Sequence, residues 1–167
     1  MPKGIKTKRE IVRIAGKLKE IVTVHDEKGN ILQKIIKPLM VEFYPRDVLQ
    51  VMIGAAILAV PVGFTEETWN LGETLPILNI IILLLLSLLF VSVFVYYNYY
   101  RDTIKQHLDE FIKRALFTYV IAFIVVAILL TIIQRTPWTT NFILAFKRVV
   151  IVAFPSSMSA AVADIIK

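Results

Sequence analysis

Cysteine is absent from these 167 residues, histidine occurs twice and glycine only six times. Without a thiol there can be no disulfide, no thiolate nucleophile and no thiolate metal site. His25 lies at an expected turn and His107 in a charged loop, so they do not read as a ligand pair, and the spacing assigns no metal. No Gly-rich loop offers backbone amides to a phosphate. Ser156, Ser157 and Ser159 have only Asp164 nearby as a base, two turns from Ser157, which is a poor nucleophile–base arrangement. The chain is therefore not expected to be an enzyme, and no cofactor is implied. Charge is also missing, over a long run: Leu75 to Tyr97 carries none.

That run, LPILNIIILLLLSLLFVSVFVYY, is about 35 Å long as a helix at 1.5 Å per residue. A bilayer's hydrocarbon core is about 30 Å thick, and only a helix satisfies its own backbone there. Three further apolar segments accompany it: about Val48 to Phe64, Ala115 to Ile133 and Val149 to Ile166. Hydrophobic residues make up 57% of the chain, above the roughly 45–50% of soluble domains. The expected fold is an all-α polytopic membrane protein with four transmembrane helices and a small N-terminal β-hairpin module. The domains are residues 1–46, a basic β module, and 47–167, the membrane domain.

The net charge is +6. Beside four spans this reads as the cytoplasmic bias of Lys and Arg rather than as a nucleic-acid surface. Lys and Arg crowd the segment before the first span and return at Arg101, Lys105, Lys113 and Arg114. Between spans one and two lie Glu66, Glu67 and Glu73 with no basic residue, and between spans three and four only Arg135. Both termini are expected in the cytoplasm, with the protein in the cell membrane. Phe43, Tyr44, Tyr96, Tyr97, Tyr99 and Tyr100 would mark the inner interface, and Trp69 and Trp138 the outer one. The basic N-terminus is not followed by a short apolar region and a cleavage site, so no signal peptide is expected.

Glu20 to Val24 and Ile31 to Ile36 are β-prone runs around Asp26-Glu27-Lys28-Gly29-Asn30, which fits a hairpin with Gly29 in the left-handed region. A third strand from Leu39 to Phe43 is a further expectation, with Met1 to Arg9 frayed. Asn98 to Arg114 reads as an amphipathic helix joining spans two and three.

Candidate functional residues gather toward the outer side. Pro61 and Pro155 each remove an N–H, freeing the carbonyls of Ile57 and Ile151. Freed carbonyls in broken helices can coordinate cations. Glu66 and Glu67 would concentrate cations at a pore mouth. Ser156, Ser157, Asp164 and Asn79 are polar groups that either line water or pack between helices. The small-residue stripes Ser156-Ala160-Ala163 and Ser157-Ala161-Asp164 suit close helix packing. Lys147 and Arg148, at the edge of span four, must snorkel or pair, with Glu66 or Glu67 as expected partners.

Two stretches resemble a family. AVPVGFTEETWNLG (59–72) is similar to the first-span motif, and AFPSSMSAA (153–161) to the last-span motif, of a prokaryotic family of integral membrane proteins of unknown function. The resemblance implies that Pro61, Glu67, Trp69 and Pro155 belong to the recurring pattern. It supplies no activity. The chain departs from the pattern at Met158 to Ala160, where members often carry a Gly.

The function expected from these residues is a homo-oligomeric ion channel or transporter for an inorganic cation, with a site at the Pro-kinked outer halves of spans one and four. The alternative is a non-conducting scaffold or regulator whose basic N-terminal module binds membrane lipid or a partner.

Overall fold

The computed structural model describes residues 6–14, 17–26, 30–38, 43, 45–101, 104 and 107–166. The chain divides into two compact units, Met1–Glu42 and Phe43–Lys167.

The first unit is an antiparallel sheet of three strands in the order β1 (Lys6–Ile14), β2 (Lys17–His25) and β3 (Ile31–Pro38). Ile21 of the central strand faces Glu10 on one side and Ile36 on the other. A bulge between Val24 and His25 shifts the register of β3, and Asp26 N–H donates to the Asn30 carbonyl across the turn. Lys8 and Glu10, two residues apart on one face, form an exposed ion pair at 2.6 Å. The hydrogen bond from Lys8 holds the Glu10 carboxyl below its ordinary value. The hairpin expected from the sequence is thus β2–β3. Lys6 to Arg9, expected to fray, instead belong to β1, so the third strand precedes the hairpin. Residues 39–42, part of the strand expected after Pro38, and residues 27–29 of the turn lie outside the described residues.

The second unit is a helix bundle: α1 (Pro45–Gly63), α2 (Glu66–Thr74), α3 (Ile77–Val95), α4 (Leu108–Ile132) and α5 (Phe142–Ile165). A π-helical turn, Tyr96–Tyr100, extends α3. Four of these helices are long and apolar enough to cross a membrane: Pro45–Gly63, Ile77–Tyr100, Leu108–Ile132 and Phe142–Ile165. The bundle has a base, where α1 and α4 begin and α3 and α5 end, and a crown at the opposite end.

Local chemistry sets the boundaries. Asn141 caps α5 by accepting the Leu144 N–H at 3.0 Å, satisfying one otherwise orphaned donor. Gln134 closes α4 in the left-handed region at φ 58°, and Arg135 N–H returns to the Leu130 carbonyl at 2.9 Å, a helix-ending pattern. The expected loop between spans one and two is a helix, α2, opened by Thr65 and by Glu66 and Glu67 in its first turn. The expected amphipathic helix over 98–114 is two pieces: the π turn closes α3 and a separate helix starts at Leu108, while residues 102–103 and 105–106 lie outside the described residues.

α5 is the most enclosed of the four long helices and α3 the least. Toward the crown, Ala59, Val126, Leu130, Val149, Val152 and Ala153 form a fully buried apolar cluster between α1, α4 and α5. Toward the base, Val51, Ala55, Ala122 and Ala160 do the same. Gly54 of α1 meets α5 so closely that a Cβ there would stand 2.9 Å from the Ser159 carbonyl oxygen and 3.0 Å from the Ala160 Cα. Small residues let these two helices approach.

Candidate functional site

The strongest concentration of buried charge is at the base. Arg114, in the second turn of α4, has no exposed side-chain surface, Asp164 of α5 has none, and Asp47 of α1 has 2%. Arg114 grips Asp164 with two parallel bonds, Nε to Oδ2 at 2.8 Å and Nη2 to Oδ1 at 2.9 Å. Such forked, charge-assisted pairs are the strong ones. Its Nη2 also reaches Asp47 Oδ2, at a looser 3.5 Å. The Tyr99 ring lies 3.8 Å from the guanidinium carbon, close enough for a cation–π contact, and the Tyr99 hydroxyl donates to the Asp164 carbonyl at 2.8 Å. Phe43 approaches the same guanidinium at 5.6 Å. All four long helices thus contribute to one buried ionic knot.

Local sequence explains the convergence. Asp47 stands in the first turn of α1, where a carboxylate is favoured by the helix dipole. The π turn YYNYY inserts extra backbone at the end of α3 and carries Tyr99 and Tyr100, the latter fully buried. Such turns recur at functional sites. One helical turn beyond Arg114, the Thr118 hydroxyl is buried with no hydrogen-bond partner. In the sequence Arg114 reads as a loop cation, and nothing singles out Asp47.

The crown has a different knot. Arg148 Nε donates to the Trp69 carbonyl at 3.3 Å, Nη1 to the Arg135 carbonyl at 2.8 Å and Nη2 to Glu73 Oε1 at 2.7 Å. Arg135 covers the Trp69 ring at 3.6 Å, and Trp69 Nε1 donates to the Gly63 carbonyl at 2.9 Å. Lys147 Nζ donates to the Leu75 carbonyl at 2.6 Å. The partner expected for Arg148, Glu66 or Glu67, is replaced by Glu73. Glu66 and Glu67 occupy the first turn of α2 and are exposed, whereas Glu73, nearly two turns later, reaches back to α5.

The other sequence-derived candidates are dispersed. Pro61 is exposed and Ile57 is 61% exposed on the outside of α1. Pro155 is half-buried on α5, and Ile151 packs with Ile80 and Val150. The α1–α5 seam near the two prolines contains Ala59, Val152 and Ala153, all apolar and fully buried. Ser156 and Ser157 are buried and donate to their own helix, to the Val152 carbonyl at 2.7 Å and the Phe154 carbonyl at 3.0 Å. Asn79 is exposed in the first turn of α3. Of the candidates only Asp164 belongs to the base knot.

Along α5 the buried polar positions are Asp164, Ser157 and Ser156; toward the crown the buried series continues as Ala153, Val152, Ile151, Val150 and Val149, all apolar. Along α4 it is Arg114, Thr118 and Tyr119, then Ala122, Val126 and Leu130. Among the described residues the buried polar positions of these two helices therefore all lie in the base half, beside small apolar ones such as Ala115, Ala160 and Ala161, and the crown half is apolar.

Neither a curated protein nor a solved structure matches the chain. The profile of the family described as "Putative integral membrane protein (DUF2391)" matches residues 16–166, which takes in β2, β3 and the whole bundle. With four spans and this match, the chain belongs to that family of integral membrane proteins.

Proposed function

We propose that this protein is an ion transporter whose cation-responsive site is the Asp47–Arg114–Asp164 knot. The observation that carries the reading is the burial of these ionisable groups at the meeting point of four spans. Charged groups inside membrane segments are expensive and mark ion or proton pathways by default. The two carboxylates hold Arg114 unequally, at 2.8–2.9 Å for Asp164 and 3.5 Å for Asp47. A proton or Na⁺ arriving at Asp47 would weaken its hold on Arg114 and leave the forked pair with Asp164 in place. That exchange is a way for cation binding to shift α1 against α4 and α5.

The apolar crown half of α4 and α5 favours a transporter over an open channel, because the described residues of one bundle offer a site there and no continuous polar lining. In this reading the outer carboxylates Glu66 and Glu67 attract the cation, and the protein works as a homo-oligomer in the cell membrane. Pro61 and Pro155, with the carbonyls of Ile57 and Ile151, lie outside the site in this reading. The Lys and Arg residues crowded before α1 favour a cytoplasmic base. Because the chain has no cysteine, Asn70→Cys and Ile104→Cys can be labelled one at a time; labelling of position 104 from outside would reverse the orientation.

Proteoliposomes loaded in separate batches with H⁺-, Na⁺- or K⁺-sensitive dyes, each tested with the matching gradient, give the direct test. Wild type is expected to carry cations, and Asp47→Asn to lose that flux while remaining folded. Absence of flux for every cation, at any pH or voltage, overturns the proposal.

A second reading rests on the sheet. The register puts Lys8, Lys19 and Lys34 on one face, with exposed Val12 and Ile36. A face of that kind suits an anionic lipid surface, as a membrane scaffold or regulator would need. Greater hydrogen-exchange protection of 17–25 in phosphatidylglycerol nanodiscs than in phosphatidylcholine nanodiscs would support it.

A further inference from the structure

A groove of about 540 Å³ runs between the base halves of α3 and α5. Phe90, Phe94 and Tyr97 line it from α3, and Met158, Ala161 and Val162 from α5. Its volume lies within the roughly 300–1,000 Å³ of ligand sites, and its walls are almost wholly apolar. The α5 wall is low because Ala161 stands where a larger side chain would fill the space.

The groove ends at a cation. Arg101 lies 5.1 Å over the Tyr97 ring and donates from Nη1 to the Tyr97 hydroxyl at 3.1 Å. Arg101 is exposed, and it follows directly on the YYNYY turn. Aromatic residues of this kind gather at the membrane–water boundary. One ligand therefore meets an apolar trough on its hydrocarbon side and a guanidinium on its aqueous side.

We propose that this groove is a binding site for an anionic phospholipid, with one acyl chain between α3 and α5 and the phosphate on Arg101. Lipid tails are the solvent of this face, so the trough is filled from the membrane. The guanidinium's planar fork matches phosphate oxygens, and it favours a headgroup of net negative charge because the choline ammonium of a zwitterionic lipid offsets the phosphate's attraction. Basic pockets between spans hold anionic headgroups in this way. The site is separate from the Asp47–Arg114–Asp164 knot, and its test does not depend on transport.

Native mass spectrometry of the full chain in mild detergent, titrated with dioleoyl phosphatidylglycerol or dioleoyl phosphatidylcholine, reads the site. Wild type is expected to retain phosphatidylglycerol preferentially. Arg101→Gln should weaken phosphatidylglycerol binding about tenfold, the loss expected when one charge-assisted contact goes, and weaken phosphatidylcholine binding less, so that the preference narrows. Val162→Trp, at an exposed rim position, should reduce the binding of both lipids, with Val93→Trp as a second route if the first variant fails to fold. Equal retention of the two lipids by wild type overturns the proposal, and so does an unchanged preference in Arg101→Gln. If Val162→Trp instead dissociates a dimer and leaves lipid binding intact, the groove is occupied by a second copy of the chain and the lipid assignment fails.

Discussion

At Arg114 two costs compete. Burying a guanidinium and two carboxylates carries a desolvation penalty that their attraction need not exceed, yet removing one partner leaves a stranded charge and costs about 3–5 kcal/mol. Asp164→Ala should therefore lower thermal stability in detergent by that order. The triple change Asp47→Leu, Arg114→Met and Asp164→Leu removes every member together and should melt close to wild type. The same pair of variants separates structure from function. If the triple variant is stable and still carries cations, the knot is a fastener and nothing more. Arg148 poses a smaller version of the question. Its contact with Glu73 is 58% exposed on the carboxylate side, and exposed pairs contribute about 0–1 kcal/mol. Its bond to the Trp69 carbonyl is partly buried, and Arg148 keeps a second carbonyl bond, to Arg135; hydrogen bonds to charged groups contribute about 1.5–3 kcal/mol. Arg148→Lys, which loses the fork, should cost about 2 kcal/mol. Glu73→Gln should cost less than about 1 kcal/mol in the same melt. Equal losses would place the crown's stability in the ion pair instead.

Among the helices, the seam between α1 and α5 decides the packing. Gly54→Ala gains up to about 1 kcal/mol of helix propensity. It also forces a methyl against the Ser159 carbonyl and the Ala160 Cα, and overpacking costs about 1–3 kcal/mol. Backbone atoms cannot yield as a flexible side chain does, so the cost prevails and the melting temperature should fall. A rise would mean that the seam is looser than these distances require. The same seam shows what a sequence discloses. The four long helices were legible because an uncharged apolar run has one stable form in lipid, and the small stripes of α5 announced a close neighbour. α2 was not, because its mixed composition resembles a polar loop; Thr65 ahead of Glu66 and Glu67 was the available start signal. β1 was hidden because KTKREIVRI puts charged and apolar residues on both faces and so shows no period-two alternation. Arg114 was misplaced because a charge at the edge of an apolar run reads alike whether it faces water or folds inward. Asp164, inside the small-residue stripe of α5, was the one member of the knot that the sequence marked.

Taken whole, the chain is two bodies of unequal self-sufficiency. Residues Phe43–Lys167 hold several fully buried apolar clusters and the described members of both arginine knots. In the sheet unit, Ile21 is the buried hydrophobic residue among those described. Three strands need an apolar face covered by something before they are stable alone, and a unit of about 40 residues has too little core to do so without a staple. Removal of residues 1–42 should therefore leave the melting temperature of the bundle in detergent within a few degrees of the full chain. The excised peptide should show little strand signal by circular dichroism in water. Gain of strand signal on adding phosphatidylglycerol vesicles, with none on phosphatidylcholine, would identify the missing cover as an anionic surface. A peptide already folded in plain buffer would mean that the sheet carries its own stability, and the lipid-binding reading of its lysine face would lose its physical basis.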